Sequence, residues 1–385
     1  MHDWVRARLA QLAGAGLLRE PRDSEVRIGA PPLSGGVWLD ACSNDYLGLG
    51  RAPVSRETLD SLQGTSPGAA AARLVQGTCA EHLALEAELA EWLGTEASLL
   101  TTSAFAANVG LIPALVESES LIVSDALNHA SIVDGCRLAR ARVVVTPHLD
   151  LSAVEAALRQ RSSSAPAWVV TEGLFSMDGD SPDLVALRAL CDRFEAGLVL
   201  DEAHSLGVLG PSGGGLAAML RVPVEVLVAG LGKAVGSVGG VIACSEDLRT
   251  WLWNRARSFV FSTAPSPLLC RVTLAQTKLA RAADSARARL EARSAELRTA
   301  LVSKGLLPAS ALCEGSRPIV PVLLGSNERA VTAMKELRTR GILVQAIRPP
   351  TVPAGSARLR LTVHADWPDD AVPRLVEALE AACAS

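Results

Sequence analysis

Two residues frame the chemistry open to this chain. Asp201 closes an apolar run in GLVLDEAHSLGVLG, and Lys233 lies in the glycine-flanked stretch AGLGKAVGS. A strand-end acid followed by Glu202 and His204 is how a helicase-type ATPase presents its metal-binding and water-activating groups. That chemistry requires a GxxxxGK[ST] loop whose backbone cradles phosphates. The nearest candidate has Ala234 where the hydroxyl should be and Leu227 where the first glycine should be, and it follows the acid along the chain. Gly230, Gly232 and Gly236 imitate a dinucleotide fingerprint, but their spacing is GxGxxxG. The next strand also lacks the terminal acid that would hold a ribose, since Glu246 and Asp247 come too early.

An acid at one strand end and a lysine at a neighbouring one suit pyridoxal phosphate. That cofactor needs a lysine to hold it covalently and a carboxylate to keep its ring nitrogen protonated, so that the ring withdraws electrons from a substrate carbanion. Asp201 and Lys233 are far enough apart for a loop, a helix-like PSGGGLAAMLR and one further strand, which places them on nearby strand ends of one sheet. Glycines and apolar neighbours around Lys233 predict a buried, functional lysine.

The elements that must position this pair are legible as alternation. The runs SLLTT, SLIVS, ARVVVT, AWVVTEG, AGLVLDEA, VEVLVAG and VGGVIACS recur with helical patterns between several of them, including AEHLALEAELAEWLG. Such alternation predicts an α/β fold with a mainly parallel sheet covered by helices on both faces. Ligands of such sheets sit at the carboxyl ends of strands, where this chain carries Ser103, Asp125, Glu172, Asp201 and Lys233. Three regions are expected: an N-terminal helix and arm (1–50), a large cofactor-binding domain (51–266), and a long linking helix, about Pro267 to Lys304, with a smaller C-terminal α/β domain (267–385). That domain's strands are RPIVPVLLG, ILVQAIRP and ARLRLTV.

Composition narrows the setting. The 385 residues exceed what one core usually holds, and 49% hydrophobic with 20% charged residues is a globular balance. A net charge of −4 without a basic block supplies no cationic stripe for nucleic acid. Eight cysteines show no metal-ligand spacing, so reduced core thiols, no metal and a cytoplasmic setting are expected. MHDWVRARLAQLAGAGLLRE reads as an amphipathic helix too short and too charged to span a membrane, with a role in covering the domain surface.

With these residues in view, LNHASIVDGCRLA, TEGLFSMDGD, LDEAHSLGVLG, GLGKAVGSVGG and IRPPTVPAGSARLRLT together resemble the α-oxoamine synthases, in the expected order and over nearly the whole chain. The resemblance implies a fold-type I, aminotransferase-like architecture with a seven-stranded sheet, and condensation of an amino acid with an acyl thioester. It implies that Lys233 carries pyridoxal 5'-phosphate and moves protons, that Asp201 pairs with the ring nitrogen, that His204 bonds the phenolic oxygen, and that His129 stacks on the ring. Ser103, Ala104 and Phe105 open a helix whose free N–H groups face the phosphate. Ser262 and Thr263 match hydroxyls donated from a neighbouring subunit, so a homodimer with shared sites is implied. Glu172 and Ser176 match positions near the cofactor, Arg360 the arginine that holds the amino-acid carboxylate, and Asn44 and Thr351 positions that meet substrate. Arg19 and IRPPTVPAGSARLR resemble the branch that joins L-alanine to a pimeloyl thioester on coenzyme A or an acyl carrier protein; other branches use glycine or serine. Two departures stand out: Ala104 replaces a usual glycine, and Gly230 replaces a phosphate-binding threonine common three residues before the lysine.

Overall fold

A computed structural model describes residues 2–18, 38–162, 165–314 and 317–384. Strands are numbered along the chain. After the short β1 (Leu39–Asp40), seven strands form the main sheet: β2 (Ala97–Thr101), β3 (Leu121–Asp125), β4 (Arg142–Thr146), β5 (Ala167–Glu172), β6 (Gly197–Asp201), β7 (Val226–Gly230) and β8 (Gly240–Cys244). Their order is β2-β8-β7-β6-β5-β3-β4. β8 runs antiparallel to β7 and β2, and the contacts from β7 to β4 are parallel. The seven strands and their mainly parallel order are those expected.

β2, β3, β7 and β8 are buried at every residue, which is why they read as unbroken apolar runs. Helices between them start where a short polar side chain can take the N–H three residues on. Ser103, Asp150, Asp183 and Ser245 each accept this bond. Leu99, Leu111, Ile122, Ile132, Val170, Val199, Val228 and Ile242 join in one buried cluster across the sheet and its helices. Each such side chain contributes about 1.5–3 kcal/mol when withdrawn from water.

The chain divides into two compact units. The larger comprises residues 44–176 and 180–288, and the smaller takes its described residues from 1–43, 177–179 and 289–385. The expected borders at 51 and 267 therefore do not coincide with these units. Helix Pro267–Arg281 stays with the large unit because Arg271 pairs with Glu81, and Arg281 with Glu88 and Glu91, on helix Ala80–Leu93.

The single long helix expected from Pro267 to Lys304 is two, Pro267–Arg281 and Asp284–Ser303. Arg287 causes the break locally: its guanidinium donates to the carbonyls of Ala280 and Arg281 at 2.6 and 2.9 Å and to Asp284. Those bonds cap the first helix where the sequence offers no glycine or proline.

In the smaller unit β9 (Ile319–Gly325), β11 (Gln345–Ile347) and β12 (Ala357–Thr362) form an antiparallel sheet, while β10 (Ile342–Leu343) pairs with β1. The run ILVQAIRP is thus divided between two sheets. Helix His2–Gly14 buries none of its residues, and Trp4 is 65% exposed, so the covering role expected of it is not seen among the described residues. Arg19 lies outside the described residues. No helix among them is long and apolar enough to cross a membrane.

Candidate active site

The large unit gathers Glu172, Asp201, Lys233 and His129 at the carboxyl ends of its parallel strands. Glu172 and Asp201 end β5 and β6 as register partners. Lys233 sits half-buried in the turn between β7 and β8, less enclosed than the sequence suggests, in a stretch where Gly232 and Val238 are exposed. Both acids are nearly fully buried. Burial first, and the Asp201 charge second, push the Glu172 carboxyl well above the usual carboxylate range, while Lys233 pulls it back. Glu172 also accepts the His129 backbone N–H at 2.6 Å and that of Ser176.

Asp201 is held on both oxygens. Oδ1 accepts the Ala203 N–H at 2.9 Å, and Oδ2 accepts an N–H of the Asn108 amide at 2.7 Å. Its neighbour Glu202 points elsewhere: it accepts the N–H groups of Leu216 and Ala217 at 3.0 and 2.8 Å and the Ser205 hydroxyl. Gly173 and Gly215 make room for that carboxylate, since a Cβ on either would meet it within 2.8 Å. Glu202 therefore anchors a helix start and has no open face for activating water. His204 is buried, and its Nδ1 lies 2.6 Å from the hydroxyl of Tyr46, the one tyrosine of the chain, which also reaches Asn44 Oδ1 at 3.4 Å.

His129 caps the start of helix Ala130–Leu138, with Nδ1 facing the Ser131 hydroxyl at 2.8 Å. The residue is exposed at its outer side, with the Phe105 ring edge-on at 6.3 Å. Burial of its inner side pushes the imidazole pKa down; Asp201 pulls it up and Lys233 adds to the lowering.

Ser103 accepts the Ala106 N–H at 3.1 Å and leaves the first N–H groups of helix Ala104–Ala114, those of Ala104 and Phe105, without partners inside the helix. The chain can bring β8 beside this helix start only with glycine. Ser103 bridges Gly239, and a Cβ on Gly240 would fall 2.3 Å from the Ala104 nitrogen. Ser262 and Thr263 are held against another loop, where Thr263 bridges Ala72. Arg360 and Thr351 belong to the smaller unit; Arg360 is buried on β12 and donates to the Thr362 hydroxyl at 3.1 Å, and Thr351 is an exposed turn residue.

Three positions escaped sequence reasoning. Asn108 is fully buried one turn beyond Ala104, and a lone amide in the apolar helix AFAANVGLIPA was the signal for it. Tyr46 carried no signal beyond its rarity. His148 lies just past β4 and bridges Asp125 Oδ1 (2.8 Å) and Asp180 Oδ2 (3.0 Å), its ring edge-on to Phe175 at 4.5 Å. Asp125 also accepts the N–H groups of Leu127 and Leu149, both at 2.8 Å. This clamp ties together the loops after β3, β4 and β5, which carry His129 and Ser176.

Known proteins resemble this chain over most of its length. A model of the aminotransferase class I and II family matches residues 37–379. An 8-amino-7-oxononanoate synthase of Anaeromyxobacter dehalogenans is 44% identical over 94% of this chain and 91% of its own length. Among solved structures, a serine palmitoyltransferase of S. paucimobilis with bound PLP and myriocin superposes with a TM-score of 0.90 at 25% identity, covering 99% of this chain and 96% of that one. An 8-amino-7-oxononanoate synthase of Francisella tularensis superposes with a TM-score of 0.75 at 26% identity, over 89% and 97%.

Proposed function

The chain belongs to the α-oxoamine synthases of the class I and II aminotransferase family, and on that premise we propose that it condenses L-alanine with a pimeloyl thioester. The products are 8-amino-7-oxononanoate, carbon dioxide and free thiol, a step of biotin synthesis. The observation that carries this reading is 44% identity to a synthase of that name over 94% of the chain, against 25% to the serine-named structure of similar fold. Glycine- and serine-using relatives are therefore the alternatives the assay must separate.

The residues present fit pyridoxal 5'-phosphate. The buried Asp201 carboxylate, oriented by two N–H donors, suits a protonated ring nitrogen. Lys233 lies within electrostatic reach of Glu172 and of His129. The open N–H groups of helix Ala104–Ala114 form a ready anion site, with the glycine crossing at Gly239–Gly240 keeping that end uncovered by side chains. When bound, this cofactor supplies an electron sink that stabilises negative charge on the amino-acid α-carbon.

The chain's own groups do the remaining work. Arg360 holds the substrate carboxylate with a planar, permanently charged fork. The Lys233 amine moves the proton to and from the α-carbon. His129 backs the ring, His204 with Tyr46 donates toward the phenolic oxygen, and Glu172 with Ser176 borders the space for the acyl group. By the family resemblance Asn44 and Thr351 meet substrate, as does Arg19, which is outside the described residues. Ser103, Ala104 and Phe105 bind phosphate from within one chain, and Ser262 and Thr263 from the partner in a cytoplasmic homodimer. The acyl group arrives on coenzyme A or on an acyl carrier protein.

A panel of alanine, glycine and serine against several acyl thioesters, scored by thiol release, tests the assignment. Alanine with the pimeloyl donor gives the highest kcat/KM; preference for glycine or serine would overturn it. Lys233→Ala abolishes thiol release and the cofactor's lysine-bound absorbance band, and retention of either would remove Lys233 from its role.

A further inference from the structure

The polar groups behind the reaction centre form an ordered chain whose direction can be worked out. Asp201, as a carboxylate, only accepts, so the Asn108 group 2.7 Å from its Oδ2 is the NH2 end of the amide. Flipping that amide would set a carbonyl oxygen against the carboxylate. The second hydrogen of the same nitrogen points to Ser131 Oγ at 2.9 Å. Ser131 Oγ accepts there and sends its own hydrogen to His129 Nδ1, 2.8 Å away. The Ser131 backbone N–H approaches the same nitrogen at 3.2 Å. Two donors converge on Nδ1, which leaves the ring proton on Nε2. Asn108 Oδ1 is buried without a partner, so the amide is set for its two donor bonds alone.

We propose that Asn108 and Ser131 are positioning residues that relay the Asp201 carboxylate to His129 and fix its imidazole as the neutral tautomer carrying its proton on Nε2. Protonation at Nδ1 would break both bonds from Ser131 and leave its hydroxyl facing donors on two sides. The other charged groups bearing on His129 are Lys233, which opposes a second cation, Asp201, which favours one, and Glu172, whose carboxylate is occupied by the His129 backbone N–H. The ring is thereby kept uncharged toward its open side, with one donor at Nε2. The functional consequence rests on the reading of this rim as the reaction centre; the tautomer itself does not.

The test is 15N NMR of the full-length chain labelled at histidine, with and without pyridoxal phosphate, with His129→Gln to assign the signal. Nδ1 should show an unprotonated, pyridine-type shift and Nε2 a pyrrole-type shift at neutral pH. Ser131→Ala should mix the tautomers and raise the His129 pKa by about one unit, a tenfold change in proton affinity, with the acid limb of kcat/KM moving in step. Ser131→Thr, which keeps the hydroxyl, should restore the wild-type spectrum. A protonated Nδ1 in the wild type, or a Ser131→Ala spectrum identical to it, overturns the relay. The expected spectra with an unmoved pH profile would support the relay and count against the rim as the reaction centre.

Discussion

Replacing His148 by glutamine tests whether the strand-end loops are clamped by a half-buried cation. His148 lies between Asp125 and Asp180 with its side chain 22% exposed, and their hydrogen bonds and charges, outweighing burial, raise its pKa to about 10. An unfolded histidine titrates near ~6.5. The stability this shift contributes is therefore complete below about pH 6.5 and is lost as pH rises to about 10, because only the folded state keeps the proton across that window. At about 1.4 kcal/mol per pH unit the ceiling is roughly 5 kcal/mol, and partial solvent screening reduces it to about 3 kcal/mol. Urea unfolding of the cofactor-free wild type and His148→Gln, followed by tryptophan fluorescence at pH 6 to 10, gives the gap directly. The variant should be about 3 kcal/mol less stable at pH 6, with the difference closing toward zero by pH 10. A gap that stays constant with pH would mean that His148 is neutral in the fold, and the clamp argument would fall.

The remaining predictions concern cofactor grip and core charge. Gly230→Thr restores a hydroxyl beside the helix start, and a Cβ there meets only Ala104 and Ala203 at 3.5 and 3.6 Å; equilibrium titration of pyridoxal phosphate should show binding tightened roughly tenfold, by one charge-assisted hydrogen bond. Arg73 forms a two-pronged buried pair with Glu86 at 2.8 and 2.9 Å and lies over the Trp253 ring at 5.2 Å. Arg73→Met strands the carboxylate and should cost about 3–5 kcal/mol in urea unfolding, whereas Arg73→Met with Glu86→Leu should recover most of it.

Much of this site was readable because its chemistry lies on elements with strong periodic signals. Asp201 follows an apolar run that could only be a buried strand, and Lys233 follows the next, so sheet order alone set them side by side. What stayed hidden depends on pairs remote in sequence. The break at Ala282–Ala283 is made by Arg287 reaching backward, which helix propensity does not register. ILVQAIRP reads as one strand because its apolar pattern is continuous, although its halves meet different partners. Asn108, Ser131 and Asp201 belong to two helices and a strand, and nothing local to each implies that one amide serves both of the others. A buried amide in an apolar helix still demands a partner, and the strand-end acid Asp201 is the charged one that the fold brings to it. Once parallel order is known, the rule that buried polar groups are paired turns an isolated Asn108 into an argument about the state of His129.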